Sequence, residues 1–475
     1  MAGKRQVEDQ AWFEREIEAS KFRDVRLRKR FGMVLERLWK GMGQTIPLAC
    51  QDWANTKAAY RFLDNDRVNE QDILSGHFQA TAQRFAVTEG PILVLHDTSA
   101  FLYEREQPEL VGYASSSITA ETRRGLAKPC AQCGILMHSS LAVTTSGLPL
   151  GLTAIKFWSR KEFKDTASKR SKVNFTRIPI EQKESFRWIE NLRQSTTRLG
   201  DPDRCVHVGD RESDIFELFC AAHDLETHFL VRTCTNRLAG DGEHTVSDEM
   251  SEVRVKGLHR IEFRDAKGQA HQALLEIRYR RLTIWPPVAK QRHYPALTLT
   301  VIHASERGEP AGRPRIEWKL VTDLPVNSRG SAIEKINWYA MRWKIETFHK
   351  ILKSGCKAED SQLRTASRLS NLIAIFCILA WRVFWVTEIN RSAPEAPPEV
   401  ALTVTEIALL DQLVKDTART ANAPPLSHSL IKLAQLGGYL ARASDPPPGN
   451  KVIWRGMHRL IDIELGYWLG REKSG

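Results

Sequence analysis

Apolar residues recur at helical spacing through the first eighty positions of the chain. Phe22, Val25 and Phe31 begin a series that continues through Val34 and Leu38, as on the buried face of an α-helix. Basic residues fill the positions between them and return in residues 53–62; the candidate phosphate contacts are Arg26, Arg30, Lys57 and Arg61. We predict a helical domain over residues 1–80 whose basic ridges suit phosphate contact; a solvated helix bundle is the alternative.

Past Gly90 the pattern changes to short apolar runs typical of buried strands. Residues 91–97 and 205–210 are two such runs, and each ends on an acid, Asp97 and Asp210. Between them lie two strand-like runs, residues 135–144 and 148–158, joined by a hairpin turn at Gly147, and a helix that should begin near Glu181. This succession predicts an α/β core.

Residues 236–325 alternate apolar and charged positions with period two, which predicts an all-β insertion. We therefore divide the chain into a helical N-terminal domain, residues 1–80, a catalytic domain, residues 81–390, that carries the insertion, and a helical C-terminal region, residues 391–475. A proline-rich segment, residues 392–398, separates the last two.

Residues 338–356 are predicted to form one amphipathic helix, because they lack proline and end near a glycine. At about 100° per residue, one face carries Tyr339, Arg342, Glu346, Lys350 and Lys353. The opposite face is apolar. Taken alone, this is an ordinary helix with a solvated polar face.

Charge favours a polyanionic partner for this chain. Lys plus Arg number 69 against 57 Asp plus Glu, a formal charge of +12 that is spread along the sequence. Of eight cysteines, only Cys130 and Cys133 have metal-like spacing, and no second pair completes a zinc site. The start of the chain shows no apolar signal region, and the apolar run 372–381 is shorter than the roughly 18 residues of a membrane span. We expect a cytoplasmic protein with no membrane contact.

The acids suggest phosphoryl-transfer chemistry once they are considered together. An aspartate after a strand is usually a turn or cap residue, but two such strands in one sheet plus Glu346 in a basic helix row could bring three carboxylates to one point. Carboxylates are the ligands that Mg²⁺ prefers. Three of them suit a pair of ions acting on a phosphodiester.

The order of these motifs resembles a known family. Tyr339-x2-Arg342-x3-Glu346-x6-Lys353 is similar to the Tyr-Arg-Glu-Lys signature of insertion-sequence transposases of the Asp-Asp-Glu class, in the insertion-sequence-four family. His-Asp97-Thr-Ser and Gly-Asp210-Arg-Glu-Ser-Asp resemble its two other catalytic motifs. The landmarks around Tyr60, Arg232 and Gly438 extend the resemblance over nearly the whole chain.

The resemblance implies a fold and a set of roles. The fold would be a ribonuclease-H-like core with the β insertion, a helical N-terminal domain that binds terminal inverted repeats, and a helical C-terminal dimerisation region. Asp97, Asp210 and Glu346 would be catalytic and would bind two Mg²⁺ ions per site, for which Mn²⁺ can substitute. The implied DNA contacts are Tyr339, Arg342, Lys353, the assisting Lys350, Arg232, and Trp318, which would stack on a flipped base or else pack in the β core.

The implied reaction is cut-and-paste transposition by a homodimer on double-stranded DNA, at both transposon ends and the target. It comprises end cleavage, hairpin formation, hairpin opening and strand transfer. Two other hypotheses remain open: a DNA-binding regulator that keeps the fold without catalysis, and a less specific metal nuclease.

Overall fold

The computed structural model describes residues 12–117, 130–161, 178–264, 270–310 and 312–472. Its first part is helical, as expected: α1 (Trp12–Glu18), α2 (Val25–Lys40), α3 (Ile46–Cys50), α4 (Trp53–Leu63) and α5 (Glu70–Ala86). Side-chain caps fix where the longer helices begin. Asp24, Asp52 and Asn69 each accept a hydrogen bond from a backbone amide of the first turn of α2, α4 and α5, which satisfies a donor that the helix itself cannot.

A mixed sheet forms the centre of the next segment. Its strands are β1 (Ile92–Leu102), β2 (Tyr113–Ser117), β3 (Cys130–Thr144), β4 (Pro149–Trp158), β5 (Cys205–Gly209) and β6 (His228–Arg232), with α6 (Phe186–Leu199) and α7 (Phe216–Asp224) as crossovers. β4, β3, β1, β5 and β6 lie in that order. β3 is antiparallel to β1 and β4, whereas β5 is parallel to β1 and β6 to β5. The helix expected near Glu181 begins five residues later.

The predicted β insertion follows β6. It comprises β7 (Leu238–Ala239), β8 (His244–Thr245), the short helix α8 (Val246–Ser251), β9 (Gly257–Arg264), β10 (Ala270–Ile284), β11 (Leu297–Glu306) and β12 (Glu317–Thr322). β12 returns to pair antiparallel with β6, with Leu320 opposite Arg232. The insertion therefore continues the central sheet, and the described strands form one twelve-stranded surface.

The segment predicted as one helix over residues 338–356 is interrupted. α9 (Arg329–Ala340) ends before Met341, α10 (Trp343–Lys350) follows, and a π-helical turn (Ile351–Gly355) completes the segment. At the break, the Arg342 amide donates to the Tyr339 carbonyl, three residues back instead of four. Such a tightened turn interrupts the regular helix, so Tyr339 and Glu346 belong to two separate helices. Tyr339 is buried, whereas Glu346 is exposed.

The C-terminal region is helical and packs on a long core helix. α11 (Ala366–Ser392) is the one described helix with the length and apolarity to cross a membrane, and its apolar window is buried inside this fold. Around it lie α12 (Val404–Leu413), α13 (Ala418–Ala421), α14 (Pro425–Leu436) and α15 (Asn450–Glu472). Gly437 and Gly456 let α14 and α15 touch, since a Cβ atom at either would lie about 2 Å from a backbone oxygen of the other segment. The His458 ring also bonds the Met42 carbonyl, which ties α15 to the N-terminal helices.

Candidate active site

Asp97 and Asp210 lie at the same level on neighbouring parallel strands. The β1–β5 ladder ends with Leu95 opposite Val208, so two more residues along each strand reach the two aspartates. Adjacent strands are about 4.8 Å apart, which places the two backbones side by side. Asp210 directly follows β5, as predicted. Asp97 does not end its strand, because β1 continues to Leu102 by pairing with β3; it ends only the parallel ladder.

Glu346 reaches this point from α10, and Arg342 joins it to Asp97. The Arg342 guanidinium lies 2.5 Å from Glu346 Oε1 and 4.0 Å from Asp97 Oδ1. Burial lowers the pKa of Arg342, but its anionic neighbours, chiefly Glu346, outweigh burial and raise that pKa above its ordinary value. The Glu346 side chain is 54% exposed and that of Asp97 18%. One cationic group thus bridges two of the three predicted acids.

His349 is a neighbour of Asp97 that the sequence analysis missed. Its Nδ1 lies 3.5 Å from Asp97 Oδ2, and its Nε2 shares a hydrogen bond of 2.8 Å with Ser139 Oγ on β3. The imidazole is buried. It stands one helical turn after Glu346, so the same face of α10 carries both; this spacing was the available signal.

Arg187 on α6, also missed, connects the two aspartate motifs. Its Nε donates to Thr98 Oγ1 at 3.2 Å, and its terminal nitrogen donates to Glu212 Oε2 at 2.5 Å. Thr98 follows Asp97, and Glu212 stands two residues after Asp210. Burial lowers the pKa of Arg187 by more than Glu212 and Glu184 raise it. The guanidinium therefore links β1 to the loop after β5, next to both aspartates.

Buried histidines link the same strands beneath the site. His96 Nε2 and His207 Nδ1 share a hydrogen bond of 2.8 Å between β1 and β5, and His96 Nδ1 bonds Ser140 Oγ on β3. Burial lowers the pKa of His96 to about 3 and that of His207 well below its ordinary value. Both rings are therefore neutral at pH 7, and they cross-link the strands without adding charge.

The donor set suits a hard divalent cation by chemistry, although the side chains are not gathered around one point. Within the residues that the structure describes, no three His, Cys, Asp or Glu side chains form a group that could hold a metal ion. Glu346 instead pairs with Arg342, which itself approaches Asp97. Carboxylates that now share the Arg342 guanidinium would suit a metal cation in its place. Such binding requires Glu346 to leave the guanidinium.

The remaining predicted contacts on this segment are dispersed. Tyr339 is buried, and its ring lies edge-on to Trp318, with centroids 5.5 Å apart. Lys350 is exposed on α10. Lys353 lies in the π-helical turn, 3.7 Å from Glu359 and over the Phe101 ring. The structure brings only Arg342 into contact with the acids.

Arg232 and Trp318 lie where the insertion joins the core. The Arg232 guanidinium donates to the Glu317 carbonyl at 2.9 Å. Trp318 is partly buried and packs against the apolar core and Tyr339, so both predicted roles stay open. Of the two cysteines with metal-like spacing, Cys133 is buried, and the side chain of Cys130 lies outside the described residues.

The N-terminal candidates occupy exposed helix surfaces. Arg26 and Arg30 on α2, and Lys57 and Arg61 on α4, are all exposed. α3 and α4 are joined by two residues, of which Gln51 adopts a left-handed conformation with φ of 66°. Helix α4 also presents Trp53, which is 77% exposed, four residues before Lys57. No motif in the sequence identifies a groove-entering helix; in the structure, α4 has the exposed basic and aromatic surface for one.

A comparison with protein families gives one finding for this part of the chain. Residues 9–68 match the family model described as transposase DNA-binding. The match covers α1 to α4 and the four basic candidates. It supports DNA as a partner of this chain.

Proposed function

We propose, from the premise that the chain is a DNA-binding transposase, that it cuts and joins DNA by metal-dependent phosphoryl transfer as an insertion-sequence-four transposase. One observation carries the proposal. Asp97 and Asp210 stand side by side on parallel strands, and Glu346 is joined to Asp97 through Arg342. The family match of the N-terminal helices supports DNA as the partner, and the acidic site would supply the groups that cleave it.

The strand order supports a ribonuclease-H-like core. In β4-β3-β1-β5-β6, an antiparallel hairpin flanks β1 on one side and two parallel strands with helical crossovers flank it on the other. The acids lie on β1, directly after β5, and on a helix that packs on β1. The β insertion falls between β6 and that helix, as in the arrangement implied by the family resemblance.

Asp97, Asp210 and Glu346 would hold two Mg²⁺ ions, with Mn²⁺ as a substitute. When bound, such ions would activate the attacking water or hydroxyl and stabilise the leaving oxygen. Glu346 must first leave Arg342, and a DNA phosphate is the natural replacement partner because guanidinium groups bind phosphate through paired hydrogen bonds. Arg342 would then hold the DNA backbone, and Lys350 and Lys353 would bind phosphates farther along it.

Helix α4 would enter the major groove at the transposon end, with Lys57 and Arg61 on backbone phosphates. Arg26 and Arg30 on α2 would contact the flanking backbone. The C-terminal helices would join two copies, so that a homodimer pairs the two ends. This arrangement rests on the family resemblance and on the exposed basic surface of α2 and α4.

The test is a binding and cleavage assay on the duplex ends of the chain's own element, with and without Mg²⁺. We expect a gel shift in both conditions and cutting only with the metal. Binding without metal-dependent cutting would favour a DNA-binding regulator. Equal cutting of DNA without the end sequence would favour an unspecific nuclease.

Loss of a phosphate contact on α4 should reduce the salt dependence of end binding. Lys57→Gln and Arg61→Gln should each weaken binding and lower the slope of log K against log salt by about 0.9, since each phosphate neutralised releases counterions. The matched control is Lys415→Gln, an exposed lysine of the C-terminal region. Titrations at several salt concentrations measure the slope; an unchanged slope in both α4 variants would remove this helix from the interface.

A further inference from the structure

A polar pocket of about 280 Å³ opens where the central sheet meets the β insertion. Arg211, the residue after Asp210, lines one side, and Arg232 at the end of β6 lines another. Lys319 on β12 and His303 on β11 contribute from the insertion. The pocket therefore lies beside the second aspartate motif, because Arg211 directly follows Asp210.

The loop that forms one wall is held by a buried carboxylate. Asp214 Oδ2 accepts hydrogen bonds of 2.8 Å from Thr233 Oγ1 and from the backbone amides of Cys234 and Thr235. Arg237 forms a buried ion pair with the same carboxylate. With so many bonds to one side chain, the wall is formed before any ligand arrives, which lowers the entropy lost on binding.

The lining is cationic and offers hydrogen-bond donors. Arg211, Arg232 and Lys319 face one acid, Glu317, which lies 3.4 Å from Lys319. His303 Nε2 is buried and has no hydrogen-bond partner among the described residues. Burial lowers the pKa of His303 to about 4, so the ring is neutral at pH 7 and can donate one hydrogen bond. An oxyanion in the pocket can accept hydrogen bonds from the cationic lining side chains Arg211, Arg232 and Lys319.

We infer that this pocket is a phosphate subsite that holds a backbone phosphate of the DNA strand near the one being cleaved. The inference rests on the proposed function and adds Arg211, Lys319 and His303 to the DNA-contacting surface. Guanidinium and ammonium groups recognise phosphate by charge and directed hydrogen bonds. Because the pocket lies next to Asp210, one DNA strand can contact both the acids and the pocket.

Cys234 allows the pocket to be tested directly in the full-length protein. It lines the pocket and is exposed, whereas the other described cysteines are buried. The chain is treated with iodoacetamide in EDTA, with or without an end duplex, and alkylation of Cys234 is followed by mass spectrometry. At about ten times Kd, roughly one molecule in ten remains unbound, so alkylation should slow about tenfold.

Charge variants separate phosphate binding from simple covering of the surface. Lys319→Gln and Arg211→Gln should each reduce the protection of Cys234 and lower the salt slope of DNA binding by about 0.9. Lys415→Gln should change neither. Inorganic phosphate alone provides the other arm: if it protects Cys234 and the bound duplex does not, the pocket takes a free anion and the DNA assignment is overturned.

The outcomes of these experiments distinguish failure of the subsite from failure of the transposase proposal on which it rests. Unchanged alkylation of Cys234 in a sample whose gel shift shows fully bound duplex overturns the subsite and leaves the transposase proposal standing. Absence of any duplex binding overturns both. Full protection that persists in both charge variants, with an unchanged salt slope, also overturns the phosphate subsite.

Discussion

Glu346→Gln should abolish metal-dependent cutting while end binding stays near that of the unchanged protein. The amide keeps the size of the side chain but carries no negative charge, and it also frees Arg342, whose closest carboxylate is Glu346. The loss of cutting activity should be larger than the loss, about 10–100-fold, that follows when a group hydrogen-bonded to a metal ligand is replaced. Nicking of labelled end duplexes in Mg²⁺, with a parallel gel shift, measures both effects.

Glu334→Gln is the matched control for this variant. Glu334 is an exposed glutamate on the preceding helix α9, paired with its neighbour Lys335, so its replacement removes the same charge from the same segment. Cutting by this control should be unchanged. Cutting by Glu346→Gln at the rate of the unchanged protein would show that the three acids do not form the catalytic site.

Asp214→Ala should be the most destabilising of the substitutions considered, by about 3–5 kcal/mol, because it leaves Arg237 buried without its counter-ion. The Asp214 side chain is 1% exposed and that of Arg237 7%. The same change removes the acceptor for Thr233 and for two backbone amides. Chemical denaturation followed by fluorescence, at constant pH and salt, measures the loss in the free energy of unfolding.

A double variant separates loss of charge pairing from loss of packing. Asp214→Leu combined with Arg237→Met replaces the ion pair by apolar side chains of similar size, so it should cost less than Asp214→Ala alone. If Asp214→Ala left the unfolding free energy unchanged, the carboxylate would not be the group that holds the loop 233–236.

The backbone positions of the two aspartates followed from the sequence because their signals are local. Each apolar run ends on its acid, and the two runs pair as neighbouring parallel strands, although β1 continues past Asp97 to Leu102 by pairing with β3. Glu346 lies far along the chain from the aspartates. Only the order of the motifs predicted that the three acids belong to one site. The pairing of Glu346 with Arg342 follows from their i,i+4 spacing on one helix face. The approach of Arg342 to Asp97 depends instead on tertiary packing that no spacing encodes.

The break between α9 and α10 could not be predicted, because neither proline nor glycine marks it. Trp338 and Tyr339 are buried before the break, and Ile345 and Phe348 after it, and periodicity alone fits one straight helix to both pairs. Arg187 was missed for a related reason: it contacts Thr98 across 89 positions. The pocket beside Asp210 is likewise assembled from segments that are distant in the chain.

The pairing of β12 with β6 has a consequence for how this protein is made. Arg232 and Leu320 are about 90 positions apart, so a nascent chain exposes one edge of β6 until the whole insertion has emerged. Open strand edges recruit other chains, and long-range pairing slows folding. The acidic site therefore forms late in synthesis. A chain shortened by removal of the insertion would keep an unpaired edge on β6 and would tend to aggregate.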